Sequence, residues 1–397
     1  MNDIFIDVDY SQIYKSGQKI GGDVFLQSRE SLSNQIVCTL SDGLGSGVKA
    51  NVLANITAHM AHKLSFSPMN LIHSARIIMN TLPVCNERKI SYSTFTIADI
   101  RYSSLDDIEV QLVEYDNPLA LHYRGAEQVD WERTPIDLQR EGAFKQELVH
   151  HSKFQLAQND RLVMFTDGVT QSGMGKALPL GWRSAGVGCF ISEAIAANPA
   201  ISSHELSQAI TRKAFALDGL ASRDDITCAV VYVRRPRRTL IVTGPPFTPD
   251  RDQALGERIK SFNGRKIVSG GTTALIVARL AGKKVKVDLS SWSKEVPPSS
   301  SMDGIDLITE GMLTLSKVAT SLERKVAVAS LPQDAVRKFI TILMDSDQVE
   351  FVVGTKINEA HQDPSIPVEI GIRRTIISRI RSALEKNYLK ETSIEYI

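Results

Sequence analysis

Between Ser91 and Tyr123 the residues alternate in character over three short runs, Tyr92 to Ala98, Ile108 to Val113 and Leu119 to Tyr123, separated by Asp, Asn, Pro and Gly. A period of two with turn residues at this spacing predicts an antiparallel meander of consecutive strands rather than a parallel βαβ sheet. Asn117-Pro118 and Arg124-Gly125 read as its turns. Further strands are expected at Ile4 to Val8, Val24 to Leu26, Gln35 to Leu40, Leu148 to Gln155, Asp160 to Phe165 and Cys228 to Val233.

Helical periodicity appears from Val48 to Leu64, where Val48, Val52, Ile56 and Met60 stand four apart, from Pro68 to Leu82, ended by Pro83, and from Ser202 to Leu217. Residues 173 to 188, with five glycines and Pro179, read as a mobile loop.

Beyond Arg234-Arg235-Pro236-Arg237-Arg238 the pattern changes. Strands at Thr239 to Thr243, Lys266 to Val268, Ile305 to Thr309 and Val349 to Val353 alternate with helices at Asp250 to Phe262, Ala274 to Leu280 and Gln333 to Met344, which indicates an α/β layer with a mostly parallel sheet. A last helix carries Ile372, Ile376, Ile380 and Leu384 as one stripe. With 397 residues and 43% hydrophobic content, two cores are affordable. We therefore expect domains at 1–233 and 239–397, joined by a solvated basic linker at 234–238.

Lys and Arg total 46 against 45 Asp and Glu, so bulk charge offers no general attraction to nucleic acid or to anionic lipid. Cys38, Cys85, Cys189 and Cys228 are scattered, form no zinc pattern and read as small core residues of a reducing compartment. The N-terminus lacks a basic region followed by an apolar one, and no apolar run reaches membrane-spanning length. A soluble, cytoplasmic protein is the expectation.

Chemistry concentrates at the ends of the predicted strands. Residues 41 to 47 read Ser-Asp-Gly-Leu-Gly-Ser-Gly, between the strand ending at Leu40 and the helix from Val48. Such a turn can cap the helix through Ser41 or Asp42, cradle phosphate, or hold a hard cation with carboxylates and carbonyls; the Asp disfavours a bare phosphate cradle. Asp23, Asp167 and the Asp224/Asp225 pair occupy comparable places. If a sandwich of sheets gathers these carboxylates, cations must offset their repulsion, and an all-oxygen donor set selects Mg²⁺ or Mn²⁺ over zinc.

Gly-Gly-Asp-Val-Phe at 21 to 25, the 41 to 47 turn, Thr-Asp-Gly-Val at 166 to 169 and Arg-Asp-Asp-Ile-Thr at 223 to 227 together resemble the signature turns of the metal-dependent PPM serine/threonine phosphatases, in their SpoIIE-type bacterial branch. The resemblance covers residues 1 to about 233. It implies an α+β fold, an αββα sandwich of two antiparallel sheets flanked by helices. It implies two ions, Mn²⁺ or Mg²⁺, bridged by Asp42, with the Gly43 carbonyl on one of them, Asp167 and Asp224 completing one shell and Asp23 serving the other. A water shared by both ions would be the nucleophile against a phosphoprotein substrate. Asp224 matches the ligand position better than Asp225, and the adjacent pair leaves that assignment open. No N-terminal Arg stands where eukaryotic-type members grip the phosphate; Lys19 is nearby, and a surface lysine is its plainer reading. The helices from Val48 to Leu82 resemble regulatory helices that could complete the metal site.

The C-terminal domain matches no family we recognise. Ser269 followed by Gly270, Gly271, Thr272 and Thr273 at a strand-to-helix junction has the parts of a small-anion site, or of a capped helix, and lacks the P-loop and dinucleotide patterns. The Gly244-Pro245-Pro246 turn and the polar segment 354–363 are further candidates for ligand contact. The sequence therefore points to a phosphoprotein phosphatase regulated by its C-terminal domain through a small anion or a partner; the rival reading is a catalytically silent phosphatase-like scaffold.

Overall fold

The computed structural model describes residues 4–30, 33–45, 47–67, 70–82, 93–104, 107–138, 148–176, 178–248, 250–293, 296–356 and 366–397. Packing divides the chain into two compact units between Arg235 and Pro236.

The N-terminal unit contains β1 (Phe5–Ile13), β2 (Asp23–Glu30), β3 (Gln35–Asp42), α1 (Gly47–Ser65), α2 (Leu71–Thr81), β4 (Phe95–Ser104), β5 (Asp107–Tyr115), β6 (Leu121–Arg124), β7 (Glu127–Val129), β8 (Thr134–Asp137), β9 (Leu148–Gln155), β10 (Asp160–Phe165), α3 (Asp167–Thr170), α4 (Arg183–Ala197), α5 (Ser203–Leu217) and β11 (Ile226–Arg234). Two sheets result, in the orders β1-β11-β10-β6-β7 and β2-β3-β4-β5-β9-β8. Neighbouring strands are antiparallel throughout. Ile36, Cys38, Leu40, Ala98 and Ile100 meet Leu162, Met164, Ala229 and Val231 between the sheets. Val37, Phe95, Ile97 and Val113 pack outward under α1 and α2, while Val163, Phe165, Cys228 and Val230 pack under α4 and α5. This is an αββα sandwich. Because β3, β4, β10 and β11 are covered on both faces, their sequences read as apolar runs rather than strict alternation.

Three local expectations are corrected. β4 and β5 pair as a meander, but β6 leaves for the other sheet and lies beside β10. The crossing is made at Asp116, whose φ is +56°, and Asn117, whose side chain bonds Thr94 and Thr96. The loop expected over 173–188 ends at Trp182, where α4 begins; Gly186 lies against Trp182 and Gly188 against the Tyr123 hydroxyl, so two of the glycines that obscured the helical period serve close packing. Cys38 and Cys228 are buried, and burial pushes both thiols up, but Cys189 is exposed and Cys85 lies outside the described residues.

The apolar stripe on α1 faces the opposite way from expectation. Val48, Val52 and Ile56 are exposed and Met60 is half-buried, whereas Ala50, Ala54, Ala58 and Ala61 are buried. The small face is the one that lets α1 lie close to the sheet: a Cβ on Gly43 would stand 2.1 Å from the Ala50 carbonyl oxygen. Replacing Val52 by Ser is therefore expected to change unfolding free energy by less than about 0.5 kcal/mol. Ala54→Leu, by overpacking, should cost about 1–3 kcal/mol. Urea denaturation of both variants checks this, and the reverse order would contradict the packing.

Two buried charges stitch the unit together. Asp160 accepts from His122 Nε2 at 2.9 Å, Arg124 Nη2 at 3.0 Å and the Ala157 N–H at 2.9 Å. These contacts outweigh burial and hold its carboxyl below the usual range. Arg161 is fully buried, stacks 3.7 Å above the Tyr232 ring and donates to the carbonyls of Pro199 and Ile201. It thereby ties β10 to the α4–α5 connection.

The C-terminal unit contains β12 (Arg238–Thr243), α6 (Arg251–Ser261), β13 (Arg265–Ser269), α7 (Gly271–Ala281), β14 (Lys286–Val287), β15 (Ser300–Met302), β16 (Ile305–Thr309), α8 (Met312–Glu323), α9 (Ala335–Met344), β17 (Gln348–Val353), α10 (Ile366–Tyr388) and β18 (Glu391–Tyr396). Its sheet runs β14-β15-β16-β13-β12-β17-β18, with the last five strands of that order parallel and β15 antiparallel to both its neighbours, β14 and β16. Helices α8, α9 and α10 cover one face and α6 and α7 the other. On α10, Ile376, Ile380 and Leu384 are buried as expected, joined by Ile377, while Ile372 is exposed. The polar strand β18 escapes sequence reading because it pairs only along one edge.

The basic segment is not the free linker expected over 234–238. Arg234 ends β11 within 3.3 Å of Asp7, the Arg237 N–H donates to Asp347 and Arg238 reaches Gln348 from β12.

Candidate metal centre

Antiparallel register places Asp23 of β2 directly across from Asp42 of β3. Asp23 opens β2 and Asp42 closes β3, so each carboxylate is carried by a strand end beside a glycine-containing turn. Asp42 is fixed through its backbone: its carbonyl accepts from the Thr94 N–H at 2.8 Å and the Ser93 hydroxyl at 2.9 Å. Ser41 does not cap α1, because its hydroxyl bonds the Thr94 carbonyl at 2.8 Å. Ser46 lies outside the described residues.

From the other sheet come Asp167, the first residue of α3 after β10, and Asp224 and Asp225, just before β11. Thr166 and Thr227 hydroxyls both donate to Asp23 Oδ2, at 2.8 and 2.6 Å, linking the two sheets at this edge. The adjacent aspartates have different tasks. Asp225 accepts the Lys15 N–H on Oδ1 at 2.9 Å and the Gly22 N–H on Oδ2 at 2.6 Å, so both its oxygens are occupied with backbone. Asp224 Oδ1 accepts the Asp225 N–H at 3.0 Å, and its charge acts on Asp42 and Asp167.

The electrostatics are those of crowded carboxylates. Burial, then repulsion from Asp167 and Asp224, pushes Asp42 up to about 8, against a hydrogen bond from Asp23. Asp23 is raised well above its ordinary value by burial and by Asp42. Asp167 is raised to about 6 by burial, Asp224 and Asp116. Burial also raises Asp224, and Lys15 partly offsets the shift. Lys15, not the exposed Lys19, is thus the lysine whose charge reaches the cluster.

Two glycines make the convergence sterically feasible. Beside Gly43 packed on α1, Gly168 lies so near β11 that a Cβ would stand 2.0 Å from the Asp225 carbonyl oxygen. Gly168→Ala is expected to destabilise the fold by at least about 2 kcal/mol in urea denaturation, since backbone must move. Gly271→Ala, whose Cβ would meet nothing within 4 Å at the start of α7, should be neutral or mildly stabilising. Equal effects at the two sites would refute the argument.

Among the described residues, no three or more His, Cys, Asp or Glu side chains are already arranged to hold a metal ion. Asp23 hydrogen-bonds Asp42, and the charges of Asp167 and Asp224 act on it. The donor chemistry, carboxylates plus the Gly43 carbonyl with no thiol or imidazole, suits a hard divalent cation.

A cleft of about 600 Å³ opens beside Asp42 and Asp167, lined also by Asp116, Asn117, His150 and Gln171. Gln171 Nε2 donates to Asp167 Oδ2 at 2.6 Å. Asp116 and His150 were not anticipated from sequence: Asp116 read as a turn residue, and His150 as one position in a strand. Only the φ > 0 demanded at Asp116 and the pairing of β9 with β5 bring them here.

In the C-terminal unit Gly270 has φ +121°, Gly271 opens α7, Thr272 is exposed and Thr273 buried. The Gly270 N–H donates to the Thr309 carbonyl, and no side chain caps α7. The Gly244 turn packs on Gly354, and the Lys356 N–H donates to the Pro245 carbonyl. Residues 357–363 of the expected polar loop lie outside the described residues.

No helix among the described residues is long and apolar enough to cross a membrane. No curated protein matches the chain. Among solved structures it is similar to the phosphatase domain of SpoIIE from Bacillus subtilis, at 16% identity over 59% of this chain and 95% of that one, TM-score 0.42. It is similar to RsbX in complex with magnesium at 15% identity, 59% and 97% coverage and TM-score 0.41. The SiaA-PP2C domain of Pseudomonas aeruginosa is similar at 13% identity, 56% and 84% coverage and TM-score 0.41. The family described as Stage II sporulation protein E (SpoIIE) matches residues 33–234, just over half of the 397. That span runs from the strand bearing Asp42 to the end of β11, and the chain belongs to the SpoIIE family, with a SpoIIE-type PPM phosphatase segment.

Proposed function

We propose that the N-terminal unit hydrolyses phosphoserine or phosphothreonine on a partner protein with two Mn²⁺ or Mg²⁺ ions, under regulation by the C-terminal unit. The observation that carries this reading is the convergence of Asp23, Asp42, Asp167 and Asp224 from both sheets at one edge, beside a cleft, with carboxyl groups raised by burial and by one another. Such a cluster is a poor structural device on its own and a good cation site. In this reading Asp42 stands between the two ions with the Gly43 carbonyl, Asp167 and Asp224 serve one ion and Asp23 the other. Asp224 is preferred to Asp225 because the latter's oxygens are occupied by backbone N–H groups.

Bound ions would supply Lewis acidity, lowering the pKa of water from about 15.7 toward about 7 and offsetting phosphoryl charge. The chain's own part is positional. Thr166 and Thr227 fix the Asp23 carboxylate, Gln171 orients Asp167, and Asp225 holds the Gly22 turn against β11. For the C-terminal unit, the uncapped start of α7 at Gly270 to Thr273 supports the small-anion reading and is the segment to test.

The test is hydrolysis of a phosphoserine peptide by the full chain with Mn²⁺, with EDTA, and after Mn²⁺ is restored. Activity should disappear and return. A rate indifferent to EDTA would sink the metal-dependent reading, and none in any arm would favour the silent scaffold.

A further inference from the structure

Strands β13 and β16 lie side by side and parallel, with Ser269 in register with Thr309, yet the helices that follow them go to opposite faces of the sheet. α7 packs through Ala274, Val277 and Ala278 on one face, and α8 through Leu315, Val318 and Leu322 on the other. Neighbouring parallel strands whose connections diverge in this way leave a crevice beyond their carboxyl ends, where open α/β sheets bind ligands. Here the two helices start almost in contact: a Cβ on Gly311 would stand 3.6 Å from the Gly270 Cα. Ser269 locks the two strand ends, its hydroxyl accepting from the Thr309 hydroxyl and donating to the Glu310 carbonyl, each at 3.1 Å.

Neither α7 nor α8 has a side-chain cap. The first N–H groups of each, at Gly271 and Thr272 and at Met312 and Leu313, have no intrahelical acceptor, and the positive ends of both helix dipoles meet at this crevice. A buried side chain points to the same place. Thr314, the third residue of α8, is fully buried, and its Oγ1 has no hydrogen-bond partner among the described residues. Side chains on a helix lean toward its N-terminus, so this hydroxyl is directed at the open first turn. A buried hydroxyl left unpaired is costly, and an incoming acceptor offsets that cost.

We propose that the paired starts of α7 and α8 bind a phosphate dianion, free or as the monoester of a small soluble molecule. This deepens the small-anion reading of α7 and rests on it. The phosphate oxygens accept from the Gly271, Thr272, Met312 and Leu313 N–H groups and from Thr314 Oγ1. A phosphoryl group suits the crevice better than a carboxylate, because its oxygens diverge in three directions and can reach two helices at once. Glu310, the only charged residue within 269–273 and 309–314, is exposed, so solvent screens its carboxylate from the amides.

The test is isothermal titration calorimetry of the full chain in EDTA, with inorganic phosphate and with glycerol 3-phosphate, against chloride of matched ionic strength. Without cations the carboxylates around Asp42 repel phosphate, so the heat reports the C-terminal unit. Wild type should show one saturable site, and the tighter of the two probes identifies the source of the phosphoryl group. Thr314→Val removes the hydroxyl at nearly constant shape; it should weaken binding about tenfold while the melting temperature stays at or above that of wild type. Gly311→Asp, whose Cβ has room, caps α8 with its own carboxylate and should abolish binding without lowering the melting temperature. Wild-type affinity in either folded variant, or a melting temperature lowered by Thr314→Val, would overturn the two-helix site and leave α7 alone as the candidate. No saturable binding of either probe by wild type would overturn the small-anion reading as well.

Discussion

Replacing Asp42 by alanine is expected to reduce Mn²⁺-dependent hydrolysis of a phosphoserine peptide by about 1,000-fold or more, equivalent to about 4 kcal/mol of transition-state stabilisation. The size follows from position. Asp42 is the one carboxylate opposite Asp23 in register and also under the charge of both Asp167 and Asp224, so it alone faces both halves of the cluster. Its loss would weaken both cation sites. Its backbone bonds to Ser93 and Thr94 do not involve the carboxylate, so the variant should remain folded. Asp225→Asn should behave differently, disturbing the Gly22 turn and stability before metal affinity. Initial rates against Mn²⁺ concentration separate the two. An Asp42→Ala enzyme within tenfold of wild type would contradict the bridging role.

The second large effect is on metal-free stability. Asp42 has a folded-state pKa of about 8 against an ordinary 3.8, and Asp167 about 6, so the folded protein binds these protons more tightly than the unfolded chain. Their contribution is full below the unfolded carboxylate pKa and is lost as pH rises, through about 6 for Asp167 and about 8 for Asp42. His62 and His151 are lowered by burial and work in the opposite sense below the ordinary histidine value of 6.5, so the window from pH 7 to 9 leaves the raised carboxyls of Asp42 and its partner Asp23. In EDTA, Asp42 should lower unfolding free energy by about 1.4 kcal/mol across that window, each pKa unit carrying 1.36 kcal/mol. Asp42→Asn should flatten the decline and be the more stable protein at pH 9, and saturating Mn²⁺ should reverse that order by binding the wild-type folded state. Urea denaturation at three pH values decides it; wild-type stability rising from pH 7 to 9 in EDTA would exclude the carboxylate strain.

What could be read before any coordinates were strand ends and turns. Gln35 to Leu40 followed by Asp42 and Gly43, and Asp160 to Phe165 followed by Asp167 and Gly168, carry their structure locally, in a short apolar run and the turn that stops it. The basis for separate domain architectures was equally local, a period of two giving way to alternating strands and helices. The stripe on α1 misled because spacing reveals that a helix has an apolar face but not which face is covered. The covering sheet accepts Ala50 and Ala54 at close range, leaving Val48 and Val52 outside. α4 was missed because Gly186 and Gly188 answer to Trp182 and Tyr123, partners that its own periodicity cannot announce.

The sequence by itself determined the elements and the chemical types at their ends, because backbone preference and turn chemistry act over a few residues. Only the tertiary structure decided which of those residues meet. Register sets Asp23 across from Asp42, hydrogen bonds to Gly22 and Lys15 occupy Asp225 and distinguish it from Asp224, and the crossing of β6 brings Asp116 and its turn into the same cleft as His150. The physical reason is that charge repulsion, burial and close backbone approach depend on distances between segments remote in sequence, and those distances exist only once the sheets are stacked.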